Sequence, residues 1–263
     1  MADFPYKDYA RELPIAEYTL NETQVEVVSA AEHTLIAACV KRFGIQDDTA
    51  TFEATRVPDR RYGLQDARSA HEYGYHLPPD HSKPAPKSIS TVEKNVLYGT
   101  AMMKAMGLPY RSEINGLKVP PGGCKGETDK NFEARYTYKE GAAAAREIAT
   151  ESFTQSLKSA ELSKQFADWS SCMREAGYRY GTPLEPLADA SFTGRKISKR
   201  ERETADRDLL CKGRTDLLKK WFTIESRIQR RLIEVQKFKL DRLKLAQRRR
   251  VEKAEEIVEH ARR

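Results

Sequence analysis

The groups in this chain with distinctive chemistry are four cysteines, and their surroundings repeat. Cys39 and Cys172 each precede an apolar and a basic residue, Val40-Lys41 and Met173-Arg174, with a glycine five places on, Gly44 and Gly177. That is the pattern of a helix's last turns closed by a left-handed cap. Downstream of each comes a near-copy of one hexapeptide, Cys124-Lys125-Gly126-Glu127-Thr128-Asp129 and Cys211-Lys212-Gly213-Arg214-Thr215-Asp216. Zinc sites and thioredoxin-like redox sites need ligands or thiols a few residues apart, and no C-x-x-C or C-x-x-H occurs. The simplest reading is two disulfides; four unrelated free thiols are the plainer alternative. Of the three possible connectivities, the duplicated pattern favours Cys39 with Cys124 and Cys172 with Cys211, while pairing of like with like across the copies stays open. Disulfides imply an oxidising, extracytoplasmic compartment.

Other reactive groups form no recognisable site. His71, His76 and His81 crowd into one short run with Glu72 and Asp80. Their spacing matches no helical i, i+4 pair and crosses Pro78-Pro79, so packing is expected there rather than a metal. Asp206 and Asp208 read as capping or solvating carboxylates rather than an acid/base pair. No G-x-S-x-G, Walker loop, dinucleotide fingerprint or H-E-x-x-H is present. No catalytic residue and no cofactor is expected.

Charge is concentrated at one end. The chain carries a net +7, and residues 214–263 hold 16 Lys+Arg against 8 Asp+Glu. This stretch has neither Gly nor Pro, so a continuous helix would run about 75 Å at 1.5 Å per residue. Leu217, Trp221, Ile224, Ile228, Leu232, Val235 and Phe238 step by three and four, as a coiled-coil or bundle seam does. Beyond them the apolar pattern thins, so the distal half is expected to be solvent-exposed or partner-bound. Lys237, Lys239, Arg242, Lys244, Arg248, Arg249 and Arg250 are the candidate binding residues, for an envelope protein or helical partner. The alternative is an anionic surface, such as a wall polymer or lipid headgroup, held by counterion release. Nucleic acid is disfavoured, because no aromatic interleaving or reading motif accompanies the charges.

The elements that position these groups follow from length and patterning. With 263 residues, 32% charged and 39% hydrophobic, and a mean hydropathy of -0.71, the profile is that of a surface-rich helical protein. The fold class expected is mainly α, a disulfide-stapled helical body with a long C-terminal helix and few or no strands. Residues 1–20 read as an extended arm, 21–126 as a first helical unit, 127–213 as a second, and 214–263 as the basic helix. A proline-rich loop, 78–90, lies within the first unit. Asn21 and Asp66 are helix caps, Ser159 marks a break between two helices, and Met102, Met103 and Met106 close a helix that starts at Thr91. No run approaches the roughly 18 apolar residues of a membrane span. The amino terminus lacks a signal pattern, so either the protein is cytosolic or an export segment has been removed, and the disulfide argument favours the second.

Several short motifs carry a resemblance. Arg61-Tyr62-Gly63-Leu64, Tyr73-Gly74-Tyr75-His76-Leu77-Pro78, Trp169-x-x-Cys172-Met173-x-x-x-Gly177-Tyr178 and Asp208-x-x-Cys211-Lys212 are together similar to a poorly characterised family of secreted or lipid-anchored actinobacterial proteins. The resemblance covers roughly residues 35–235. It implies an exported protein with paired cysteines and supplies no enzymatic residues.

Overall fold

Short polar side chains set the helix starts. In the computed structural model, which describes residues 9–45, 59–79, 89–194 and 196–263, Asn21 accepts from the Gln24 amide while the Gln24 side chain returns to Asn21. This reciprocal box opens α1 (Glu22–Arg42), which ends where Gly44 takes a positive φ. Asp66 caps α2 (Ala67–Tyr73), and Ser90 forms a second box with Glu93 to start α3 (Thr91–Ala105). A hairpin of β1 (Glu113–Ile114) and β2 (Leu117–Lys118) follows, turned by Asn115 and Gly116, both at positive φ. Next come α4 (Gly123–Thr128), a π-helical turn at Asp129–Glu133 and α5 (Ala134–Tyr136). The expected break is real: α6 (Lys139–Leu157) ends before Ser159, whose hydroxyl caps α7 (Ala160–Glu175). Ser198 caps α8 (Lys199–Thr215), and α9 (Leu217–Arg262) completes the chain. The fold is therefore mainly α with two disulfides and a long C-terminal helix, as expected.

Three details differ from expectation. The stretch 9–18 is not extended: it forms two 3-10 turns, Tyr9–Glu12 and Pro14–Tyr18, the second opened by a proline whose fixed φ suits a first helical position. Leu13, Ile15 and Tyr18 are buried there. The last helix starts at Leu217 rather than Arg214, because Asp216 adopts a left-handed conformation and separates it from α8. Along α9, the expected seam holds through Leu217, Trp221, Ile224 and Ile228, but Val235 and Phe238 are 82% and 73% exposed. At about 100° per residue Val235 lies five whole turns from Leu217 and at the same angle, so the flank that is buried as far as Ile228 is left uncovered beyond it. The other flank of that face is polar, with Glu225, Ser226 and Gln229 buried, and it continues through Ile233, Leu240, Leu243 and Ala254. The distal half of α9 thus buries one face.

Contacts group the chain into two units that do not follow the consecutive division read from the sequence. The first comprises residues 1–17, 56–79 and 143–240; the second comprises 18–55, 80–142 and 241–263. In the first, Leu162, Phe166, Trp169 and Met173 of α7 pack with Leu217, Trp221, Ile224 and Ile228 of α9 around the Cys172–Cys211 disulfide. A neighbouring cluster joins Leu64, Ala70 and Tyr75 to Phe192, Ala205 and Leu209. In the second unit, Cys39, Val40 and Phe43 pack with Val96, Ile114, Val119 and Cys124 about the Cys39–Cys124 disulfide. Val28, Ala31, Phe132 and Ala254 form its other cluster. Most of the proline-rich loop, 80–88, falls outside the described residues, as do His81 and the arm residues Phe4, Pro5 and Tyr6.

Candidate functional site

The cysteines form the connectivity favoured by the repeat, Cys39 with Cys124 and Cys172 with Cys211, each with Cα atoms 5.6 Å apart. Within the first unit the second bridge borders two buried polar networks. One centres on Asp208 of α8, which is fully buried and not a solvating carboxylate as its sequence context suggested. Trp169 Nε1 donates to Asp208 Oδ1 at 3.0 Å, and Lys212 Nζ donates to Oδ2 at 3.0 Å and to the Leu64 carbonyl at 2.8 Å. Burial pushes the Asp208 carboxyl up and the Lys212 ammonium down, and their mutual attraction opposes both shifts. Tyr75 connects this network to Glu201: its hydroxyl reaches Asp208 Oδ2 at 3.4 Å, and its amide donates to Glu201 Oε1 at 2.9 Å. His76 places Nδ1 2.7 Å from the same carboxylate oxygen and Nε2 2.8 Å from the Gly194 carbonyl. Gly74 permits this approach, since a Cβ there would stand 2.6 Å from Glu201 Oε1.

The other network centres on Glu225 of α9, buried completely. Arg61 pairs with both its oxygens and also donates to the Ala149 carbonyl. Tyr62 donates to Oε2 at 2.8 Å and Ser152 to Oε1 at 2.9 Å. Gln229 donates to Ser152 Oγ at 3.0 Å and accepts from the Ile15 amide at 3.0 Å. Burial, then the Glu225 carboxylate, raises the Tyr62 hydroxyl far above its ordinary range. These contacts lock Arg61-Tyr62 and the 3-10 turn at Pro14–Tyr18 onto α6 and α9. Arg61, Tyr62, Leu64, Tyr75, His76, Trp169, Asp208 and Lys212, spread through the quoted motifs, all serve these two networks.

The two described histidines of the run each face a carboxylate. His71 Nδ1 lies 3.2 Å from Asp206 Oδ2, and His76 is held by Glu201 as described. Among the described residues no group of three or more His, Cys, Asp or Glu side chains is arranged to hold a metal ion.

The seven candidate binding cations on α9 divide. Arg250 pairs inside the second unit with Glu32, at 2.9 Å, and with Glu133, and burial lowers its guanidinium. Arg242 lies over the Tyr138 ring at 4.6 Å and Lys244 over Tyr18 at 5.9 Å, so these two cover aromatic surface of the body. Arg248 pairs with Glu252 along the helix at 3.2 Å. Lys237, Lys239 and Arg249 are exposed at their side chains. Missing from the sequence reading is what lies between the cations: Val235 and Phe238, exposed on the same flank as Leu217 some five turns on, at about 100° per residue. Their membership of the apolar seam concealed them. Glu225 and Gln229 were missed for the converse reason, since polar residues on a helix read as solvated unless a buried cation or amide partner is known.

No family model matches the chain, and no curated protein or solved structure matches it either.

Proposed function

We propose that this is a non-catalytic binding protein of an oxidising, extracytoplasmic compartment, secreted or membrane-anchored, which docks a helical partner with the outer stripe of α9. The observation that carries this reading is the exposure of Val235 and Phe238 on a continuous helix, with Leu245 also exposed further along. Arg231, Val235 and Phe238, all in the first unit, recur at steps of four and three, the spacing with which one helix meets another. Lys239 beside the stripe suits a partner with an acidic flank. Two disulfides support the compartment, because reducing cytosol keeps such thiols open.

The test uses point variants, since Leu240, Leu243 and Ala254 are buried and truncating α9 would remove core. A photo-reactive residue at position 231 is introduced into the full chain, with and without Val235→Glu and Phe238→Glu. Crosslinking to a partner from the native compartment should be lost in the double variant while the melting temperature stays unchanged. Recovery of the same partners by both proteins would refute the docking face. Four alkylatable thiols in protein isolated from its source would refute the compartment.

A further inference from the structure

Four large apolar side chains, Met102, Met106, Tyr110 and Leu117, are exposed in one short stretch of the second unit, from the end of α3 to the β hairpin. The stretch is held by directed hydrogen bonds. The Leu108 amide donates to the Met103 carbonyl at 3.0 Å. Asn95 clamps Arg111 through its backbone, accepting from its amide at 2.9 Å and donating to its carbonyl at 3.0 Å. Asn115 Nδ2 donates to the Phe43 carbonyl at 2.7 Å, and Met103 between the exposed methionines is fully buried. A fixed scaffold therefore holds these side chains in water, which is the mark of an interaction surface rather than of a slack loop.

Cations are interleaved with them. Lys104, Arg111 and Lys118 are exposed, and their side chains have no hydrogen-bond or ion-pair partner among the described residues. Glu113 is the single acid from position 102 to 118. We propose that this stretch docks on an anionic lipid bilayer, with Met102, Met106, Tyr110 and Leu117 entering the headgroup and upper acyl region while Lys104, Arg111 and Lys118 meet lipid phosphates. Each side chain suits that boundary: thioethers are apolar and adaptable, a tyrosine ring is amphipathic, and a lysine stem can lie in apolar surroundings with its ammonium in water. Charge selects the bilayer as the occupant: Lys104, Arg111 and Lys118 against the single acid Glu113 surround the apolar groups, and a bilayer is engaged by a few apolar residues with adjacent charge. A single basic residue near an anionic surface is worth about a fivefold gain in partitioning, so three give about 100-fold.

The experiment is sedimentation of the full chain with phosphatidylcholine vesicles, with and without phosphatidylglycerol. Binding is expected only to the anionic vesicles, and Lys104→Gln, Arg111→Gln and Lys118→Gln together should weaken it about 100-fold. Tyr110→Trp supplies a second readout, an indole emission that shifts to the blue when the ring leaves water. Absence of that shift with anionic vesicles, binding only to an acidic protein, or a triple variant that binds like the parent would each overturn the proposal. Phe238→Glu should leave vesicle binding unchanged, so failure of the α9 docking face and failure of this surface are separable.

Discussion

Lys125 and Lys212 hold the same place in the two hexapeptides and end in opposite surroundings. Lys125 is exposed beside the Tyr98 ring, at 5.1 Å, whereas Lys212 is buried between Asp208 and the Leu64 carbonyl. A repeated sequence thus fixed the pairing of sulfur without fixing the role of its neighbour. His76 has a comparably specific environment. Both ring nitrogens face oxygen acceptors, the Glu201 carboxylate of α8 and the Gly194 carbonyl, while Arg60 donates to the His76 carbonyl and Tyr75 shares the Glu201 oxygen. The hydrogen bond to Glu201 raises the imidazole above its ordinary 6.5, reinforced by the Gly194 bond and opposed by burial. Folding therefore binds a proton more tightly than the unfolded chain does. The stabilisation is fully present below about pH 6.5 and is lost as pH climbs through the higher folded value. Urea titrations across about pH 5 to 8 should show this decline in the parent and a flatter profile in His76→Gln. Identical slopes in the two proteins would remove His76 as the source.

At the scale of elements, the decisive contact in the second unit is backbone on backbone. Gly99 interrupts α3 with φ 74° and ψ 171°, and a Cβ on it would stand 2.3 Å from both the Gly123 nitrogen and the Pro121 carbonyl oxygen. A Cβ on Gly123 would stand 2.5 Å from the Gly99 nitrogen in turn. Gly99→Ala is therefore expected to cost about 3 kcal/mol or more, combining left-handed strain with overpacking against atoms that cannot give way. Gly107→Ala, also at positive φ but with open space around it, should cost only about 1 kcal/mol. Chemical denaturation of both variants measures the difference, and equal losses would mean that the close approach is not structurally important. Helix starts and breaks were legible in the sequence, because Asn21, Asp66 and Ser159 act locally. The Gly99–Gly123 contact was not, since a lone glycine in a helical run says nothing of what approaches it. The buried face of α9 was half legible: Leu217 to Ile228 announced one flank, while Glu225 and Gln229 concealed the other until Arg61, Tyr62, Ser152 and Ile15 were in place around them.

For the molecule as a whole, each unit contains one disulfide, closing sequence separations of 85 and 39 residues. On the chain-entropy account these are worth about 4.5 and about 4 kcal/mol. Replacing Cys39 and Cys124 by serine should accelerate amide exchange mainly in residues 18–45 and 89–142, and the Cys172 and Cys211 pair mainly in 143–240. Exchange that rises equally everywhere after either replacement would show that the bridges do not act unit by unit. One further feature bears on how such a protein is made. Leu217, Trp221, Ile224 and Ile228 of α9 belong to the first unit's core, and Ala254 to the second's. Synthesis delivers a chain from its amino end, so the first core waits for Trp221, Ile224 and Ile228, and the cluster of Val28, Ala31 and Phe132 waits for Ala254. Cys39 and Cys124 lie in a cluster that needs no part of α9, so their bridge can close before that helix is made, whereas Val28 and Ala31 stay uncovered until Ala254 arrives.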